Sequence, residues 1–142
     1  MVIVTGCERS GTTAMAKMIA NRRGLPYIHE RYGRGVMKHS LNLNQNIKHL
    51  ELLDHLYPNA EWIWVERNKY DTIYSLWTKI WQRYPHTMSL DDAILQYKQV
   101  NASCGKFKDY IIKDYDVIFG RKKHKFTKEQ IDYIDDYYNS RN

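Results

Sequence analysis

A polar loop bounded by glycines, residues 6–13, most constrains what this chain can fold into. The loop reads Gly-Cys-Glu-Arg-Ser-Gly-Thr-Thr, follows the apolar run at residues 2–5, and precedes Met15, Met18 and Ile19 at helical spacing. This pattern predicts a strand, a loop and the start of a helix. Backbone amides at a helix start have no partners within the helix, and the helix dipole adds to their attraction for an anion. The loop is typical of a phosphate or sulfate site, although short glycine motifs also occur in tight turns.

The basic residue of this loop is in an unusual position. Gly6 and Gly11 have the spacing of a nucleotide-binding P-loop, but Thr12 stands where an ATPase or GTPase carries its phosphate-binding lysine. Arg9 instead brings the positive charge into the loop itself. The residues therefore indicate an anion site that differs from that of ordinary NTP hydrolases.

A second informative stretch follows the aromatic run Trp62-Ile63-Trp64-Val65, which predicts a strand. Arg67 ends that strand, and Ser75 lies eight residues later, about two helical turns away. A guanidinium and a hydroxyl so placed can share one phosphate. The alternative is structural: Arg67 pairs with Asp71, and Ser75 has no role.

Taken together, the two motifs resemble those of sulfotransferases that use 3′-phosphoadenosine-5′-phosphosulfate (PAPS). Residues 6–13 look like the 5′-phosphosulfate loop of that family, and Arg67-Asn68-x-x-Asp71-x-x-x-Ser75 is similar to the segment that holds the 3′-phosphate. The chain departs from the family at Lys69, where proline is usual. The resemblance implies a P-loop-type, three-layer α/β fold with a short parallel sheet flanked by helices, and PAPS as sulfuryl donor. It assigns cofactor binding to Arg9, Ser10, Gly11, Thr12, Thr13, Arg67 and Ser75.

A weaker resemblance appears near the C-terminus. Residues 120–125 followed by Phe-Thr-Lys-Glu-Gln look like a shortened form of the family's basic loop over the 3′-phosphate, but its Gly-x-x-Gly-x-Trp-Lys core is absent. Arg121, Lys122 and Lys123 are therefore further candidates for cofactor binding. The alternatives are a solvated basic run or a nucleic-acid-binding patch.

The resemblance also places catalytic residues between the two cofactor motifs, at the end of a strand predicted at residues 36–39. It assigns Lys38 to the leaving phosphate oxygen and His39 to the general base, with Glu30 as the alternative base. Neighbouring residues on a strand point to opposite faces, which counts against Lys38 and His39 sharing one site. We expect no metal requirement, because a sulfuryl group carries less charge than a phosphoryl group and no acidic strand end suited to Mg²⁺ is evident.

Composition predicts one domain over residues 1–142. The net charge of +6 favours an anionic partner. The two cysteines imply no disulfide framework, and a first strand beginning at residue 2 leaves no room for a signal peptide. With no apolar run long enough to span a bilayer, we expect a cytoplasmic protein without membrane association.

The rest of the chain alternates predicted helices and strands. Capping residues at Asn68, Ser89 and Thr127 each predict a helix start. Asp71 is expected to complete a variant of the capping box with Asn68, and Gln130 a capping box with Thr127. Residues 110–112 read as strand or helix, and residues 115–119 as a strand. Other predictions are a strand at 27–29, a loop at 30–35, helices at about 43–57 and 89–102, and an aromatic core stripe at Tyr70, Ile73, Tyr74, Trp77 and Trp81.

The sequence leaves the acceptor open. The chain is short for the family, so the loops that usually shape an acceptor pocket are reduced, and a small molecule, a glycan or a peptide carrying a hydroxyl or amine all fit. Two other functions compete with sulfuryl transfer. One is an ATP-dependent P-loop phosphotransferase; the other is a non-catalytic protein that binds a nucleotide or nucleic acid through Arg9, Arg67 and residues 121–125.

Overall fold

The computed structural model describes residues 1–79 and 88–140, and its five strands form one parallel sheet. In chain order the strands are β1 (Val2–Cys7), β2 (Tyr27–His29), β3 (Val36–Leu41), β4 (Glu61–Glu66) and β5 (Ile111–Asp114). The helices are α1 (Thr12–Arg23), α2 (Ile47–Leu56), α3 (Lys69–Thr78), α4 (Leu90–Gln99), α5 (Tyr115–Phe119) and α6 (Lys128–Ser140), and a π-helical turn over Val100–Cys104 extends α4.

The order of the strands in the sheet is β2-β3-β1-β4-β5. Helix α1 leads the chain from β1 to β2, and α2 leads it from β3 back across β1 to β4. In an open parallel sheet, ligands bind beyond the carboxyl ends of the strands at the point where the strand order reverses. The residues that follow β1, β3 and β4 therefore meet at the expected ligand edge.

Two apolar clusters cover the two faces of the sheet and make three layers. On one face, Val2 and Val4 of β1 pack with Met15 and Ile19 of α1. On the opposite face, residues such as Ile3, Leu50, Trp62, Ile73, Ile94 and Ile134 pack together from β1, α2, β4, α3, α4 and α6. The predicted α/β fold, a parallel sheet flanked by helices, is confirmed.

The first segment that differs from the sequence prediction is the region around residues 38–46. Strand β3 continues to Leu41, so Lys38 and His39 lie within the strand and not at its end. Helix α2 begins at Ile47 instead of near residue 43, because Asn46 caps it by accepting a bond from the Lys48 amide. The Asn42 side chain holds residues 42–45 in a turn by accepting bonds from two following amides.

Residues 115–119 form the second difference. They were expected as a strand, but they form helix α5. The Asp114 carboxylate accepts hydrogen bonds from the amides of Asp116 and Val117, and this cap favours a helical turn over an extended chain. Helix α5 matters to the site because its first residue, Tyr115, is buried against the loop before α1.

The predicted helix caps are largely present. Thr127 and Gln130 exchange bonds of 2.8 and 3.2 Å between side chain and backbone, which confirms the capping box. The Asn68 side chain caps α3 by accepting a hydrogen bond from the Asp71 amide. The Asn68 amide donates to Asp116 and not to the Asp71 side chain, so Asp71 does not complete a capping box. The aromatic stripe on α3 packs inward, with Trp77 stacked 5.6 Å from Phe126; Trp81 lies outside the described residues.

Gly11 and Gly24, which flank α1, allow a matched test of the loop. Both have left-handed backbone angles, but a Cβ at Gly11 would lie 2.1 Å from the Tyr115 ring, whereas nothing lies within 4 Å at Gly24. We expect Gly11→Ala to lower the free energy of unfolding by at least about 2 kcal/mol, because Tyr115 must move. Gly24→Ala should cost roughly 1 kcal/mol, from backbone strain alone.

Urea unfolding of the two variants beside the parent chain measures both losses. The difference between them isolates the contact with Tyr115. Equal losses at the two positions would mean that Tyr115 does not press on the loop in solution.

Candidate cofactor and catalytic site

A cavity of about 780 Å³ lies at the carboxyl ends of β1, β3 and β4. Its volume is within the range of small-molecule and cofactor sites. The charged side chains around it are predominantly basic, so it attracts polyanions. The basic residues that line it are Arg9, Lys17, Lys38, Arg67, Lys79 and Lys122, and the acidic ones are Glu8 and Glu30.

The loop at residues 6–13 forms the floor of this cavity. Arg9 and Gly11 both have positive φ, 68° and 95°, and the Ser10 amide closes the turn onto the Cys7 carbonyl at 3.0 Å. The first bond within α1 runs from the Met15 amide to Gly11, and no side chain caps the helix. The amides of residues 12–14 therefore have no acceptor within the helix, as in an anion-binding loop.

The two motifs predicted to bind the cofactor meet in this cavity. The Arg9 Nε donates a 2.8 Å hydrogen bond to the Ser75 hydroxyl, and Nη1 of Arg67 donates one of 2.8 Å to the Arg9 carbonyl. The Arg67 guanidinium also lies 5.2 Å from the centre of the Tyr115 ring. Arg67 does not pair with Asp71, so the structural alternative for this arginine is wrong.

Asp71 instead holds the C-terminal basic loop. Its buried carboxylate accepts a 2.8 Å bond from the Arg121 Nε and a 2.9 Å bond from the His124 amide. Lys122 then lines the cavity, whereas Arg121 and Lys123 do not. Of the three basic residues proposed from the sequence, only Lys122 is placed to contact a bound anion.

Glu30 and Lys38 lie together on the side of the cavity formed by β2 and β3. The Lys38 ammonium and the Ser40 amide donate bonds of 2.8 and 2.9 Å to Oε1 of Glu30, and the Gln45 amide group donates to Oε2 at 3.2 Å. The Ser40 hydroxyl is 2.8 Å from that of Thr12. Lys38 and Ser40 are two residues apart in β3, so both point to the face that carries the loop.

Opposing effects set the protonation of Glu30. Burial disfavours the carboxylate, but hydrogen bonds from Lys38 and Ser40, together with the charge of Lys38, outweigh burial and lower the pKa of Glu30. The group is therefore ionised near neutral pH. A carboxylate of this kind can accept a proton from a substrate.

His39 lies on the opposite face of β3 and does not line the cavity. Its Nε2 hydrogen bonds the Arg31 carbonyl at 3.0 Å, so Nδ1 of the neutral ring is an acceptor, and His49 Nε2 donates to it at 3.0 Å. Burial lowers the pKa of His39. Both ring nitrogens of His39 are therefore hydrogen-bonded within the protein. Nδ1 is 3.6 Å from Glu30 Oε2, so His39 lies on the side of Glu30 away from the cavity.

Ser10 is also set apart from the main cavity. Its hydroxyl is buried without a hydrogen-bond partner and lines a separate cavity of about 200 Å³ beneath the loop. Gly11, Thr12 and Thr13, which the resemblance assigns to cofactor binding, line the main cavity. Because the Ser10 amide donates to the Cys7 carbonyl, neither its amide nor its hydroxyl is placed to contact a cofactor in the main cavity.

Several residues that line the cavity were not identified from the sequence. Ser40 could have been found from its period-two spacing to Lys38, and Lys79 from its position one turn after Ser75. Burial and the charge of Arg9 lower the pKa of Lys79. No pattern in the sequence indicated that Tyr115 lines the cavity, because residues 115–119 were predicted to form a strand. The full set missed is Glu8, Ala14, Lys17, His29, Ser40, Asn42, Gln45, Lys79 and Tyr115.

Comparison of the chain with protein-family models, with curated proteins and with solved structures finds no match. Within residues 1–79 and 88–140, no helix is both long and apolar enough to cross a membrane. The same residues contain no group of three or more His, Cys, Asp or Glu side chains placed to hold a metal ion.

Asp71 allows a test of how the basic loop is held. Hydrogen bonds from Arg121 and His124 outweigh burial and lower the pKa of Asp71, so its stabilising effect is present above the unfolded pKa of about 3.9. That effect is lost as pH falls through the lower, folded pKa. We expect Asp71→Asn to lower the free energy of unfolding by about 1–3 kcal/mol at pH 7 and by progressively less below pH 4.

Urea unfolding at pH 7 and at pH 3 measures this change in free energy. Asp132→Asn, which alters an exposed acid on α6, is the control and should change little at either pH. A loss that is the same at both pH values would contradict a charged contact at Asp71.

Proposed function

We propose that this chain is a sulfotransferase that moves a sulfuryl group from PAPS to a hydroxyl or amine acceptor. The hydrogen bond from Arg9 to Ser75 is the observation that carries the proposal. It joins residues 66 positions apart, one from each motif, at a single cavity whose charged side chains are mainly basic. A polyanionic donor with phosphates at both ends of its ribose would need cationic groups from both motifs.

The loop and α1 are suited to the 5′-phosphosulfate. Backbone amides of residues 12–14 and the hydroxyls of Thr12 and Thr13 supply donors for its oxygens. Arg67 and Ser75 would hold the 3′-phosphate, with Lys122 adjacent. Arg67 offers a planar pair of donors to such a group, which binds more strongly than a neutral hydrogen bond.

Glu30 is the group we assign to the general base, in place of His39. It is ionised, it lines the cavity, and it lies 2.8 Å from the Lys38 ammonium. Glu30 accepts the proton of the acceptor while the acceptor oxygen or nitrogen bonds to sulfur and the bond from sulfur to the bridging phosphate oxygen breaks. Lys38 neutralises the charge that develops on that phosphate, an electrostatic contribution that is usually the largest in such reactions.

The first experiment is a calorimetric titration with the product nucleotide, 3′-phosphoadenosine-5′-phosphate (PAP), beside ADP and Mg-ATP. We expect PAP to bind without metal and more tightly than ADP. Arg67→Ala should lower the affinity for PAP by about 10- to 100-fold and leave the affinity for ADP nearly unchanged, because only PAP carries the 3′-phosphate.

Arg22→Ala is the matched control, since it removes the same charge from the far end of α1. It should leave both affinities unchanged. Equal binding of PAP and ADP, or binding of Mg-ATP alone, would overturn the proposal in favour of a phosphotransferase. Salt-sensitive binding of oligonucleotides without PAP binding would favour the non-catalytic alternative.

A second experiment separates Glu30 from His39. With a mixed set of alcohols, phenols and amines as acceptors, we expect Glu30→Gln to slow PAP release from PAPS by about 10²- to 10⁴-fold. His39→Gln should slow it much less, because His39 does not reach the cavity. Liquid chromatography of released PAP measures both rates.

Glu51→Gln, on the exposed surface of α2, is the control for Glu30→Gln. Circular dichroism checks that each variant is folded. Full activity of folded Glu30→Gln, or a greater loss in His39→Gln, would contradict the assignment of the base.

A further inference from the structure

We infer that the acceptor is a polyhydroxylated compound of the sugar class, bound on the side of the cavity formed by β2 and β3. The inference rests on the proposed sulfuryl transfer, and it adds the class of acceptor, which the sequence left open. Two observations carry it: the arrangement of the cavity across the sheet and the chemistry of one of its walls.

The order of the strands divides the cavity. Strand β1, which leads into the loop, lies in the middle, with β4 on one side and β3 then β2 on the other. Neighbouring strands are about 4.8 Å apart, so the three intervals from β2 to β4 span roughly 14 Å. Arg67, Ser75 and Tyr115 are on the β4 side, where the 3′-phosphate is assigned. The side beyond the loop is left for the acceptor.

The wall on the β2 and β3 side consists of hydrogen-bonding groups. His29, Glu30, Lys38, Asn42 and Gln45 all line it. Among the described residues that line the cavity, Ala14 is the only aliphatic one and Tyr115, on the other side, the only aromatic one besides histidine. Sites for apolar ligands are lined mainly by apolar and aromatic side chains. A phenol or a lipid placed here would cover the Nε2 of His29 and the side-chain oxygen of Gln45 without offering either a hydrogen-bond partner, which disfavours its binding.

The polar groups on this wall include both donors and acceptors. The Tyr27 hydroxyl is 2.5 Å from His29 Nδ1; when it donates there, the proton of the neutral ring is on Nε2. Burial and the charge of Lys38 lower the pKa of His29, which keeps the ring neutral near pH 7. The Gln45 amide nitrogen donates to Glu30 and to the Ser40 carbonyl, so Gln45 meets a ligand through its accepting oxygen. Sugar hydroxyls, which both donate and accept, complement such a wall.

The test compares two acceptor sets at saturating PAPS. One set contains methyl glycosides of hexoses, N-acetylhexosamines and uronic acids, with their di- and trisaccharides; the other contains phenols and aryl amines. Sulfated product is measured by mass spectrometry, and PAP binding is measured on the same protein. We expect at least one glycoside to be sulfated with a kcat/KM ten or more times that of any phenol or aryl amine.

Variants then connect the preference to the wall. His29→Phe should raise the KM for the preferred glycoside about tenfold or more and leave the PAP affinity within twofold. His55→Phe makes the same change on the exposed surface of α2 and should alter neither value. An unchanged KM in His29→Phe would overturn the placement of the acceptor on this wall.

The outcomes separate the inference from the proposed function. If PAP binds but phenols or aryl amines are preferred, or no glycoside is sulfated, the sugar assignment is wrong while the nucleotide site stands. If PAP does not bind, the proposed function fails, and the acceptor assignment fails with it.

Discussion

The pairing of β1 with β3 on one side and with β4 on the other is the constraint on which the site depends. Its register places Gly6 opposite Ser40 and Val4 opposite Lys38. This register brings the Ser40 hydroxyl to Thr12 and directs Lys38 toward the loop. A slip of one residue in β3 would turn both side chains to the opposite face and bring His39 to the loop. The backbone hydrogen bonds that pair β1 with β3 therefore decide which side chains of β3 face the cavity.

The second constraint is the contact between the loop and the C-terminal part of the chain. Tyr115 covers Gly11 and stacks on Arg67. The Asp116 carboxylate accepts a hydrogen bond from the backbone amide of Asn68, just before α3. These contacts tie the loop, the end of β4 and the start of α3 into one unit. Because Arg9 and Arg67 lie close together, their like charges repel, and an anionic ligand bound between them would relieve that repulsion. The same ligand would then stabilise the fold.

The two sides of the cavity differ in chemistry because they come from different sheet neighbours. The β4 side presents arginine, serine and tyrosine, whereas the β3 side presents a lysine and a glutamate in contact, with amide side chains around them. His39 and His49 lie beyond Glu30, on the other face of the sheet, and engage each other. One side is suited to a phosphate, and the other to a group that gives up a proton.

The sequence by itself determined the local elements: the strand, loop and helix of residues 2–23, the capping box at Thr127, and the placement of Arg67 and Ser75 about two helical turns apart. Each follows from periodicity or capping between residues close in sequence, and such interactions are readable without the fold. The tertiary structure decided that Glu30 and not His39 lines the cavity, that Asp71 pairs with Arg121, and that residues 115–119 are helical. These outcomes depend on how far β3 extends, which face it turns to the loop, and what packs on Gly11. All three are set by contacts between residues distant in sequence, which local patterns do not encode.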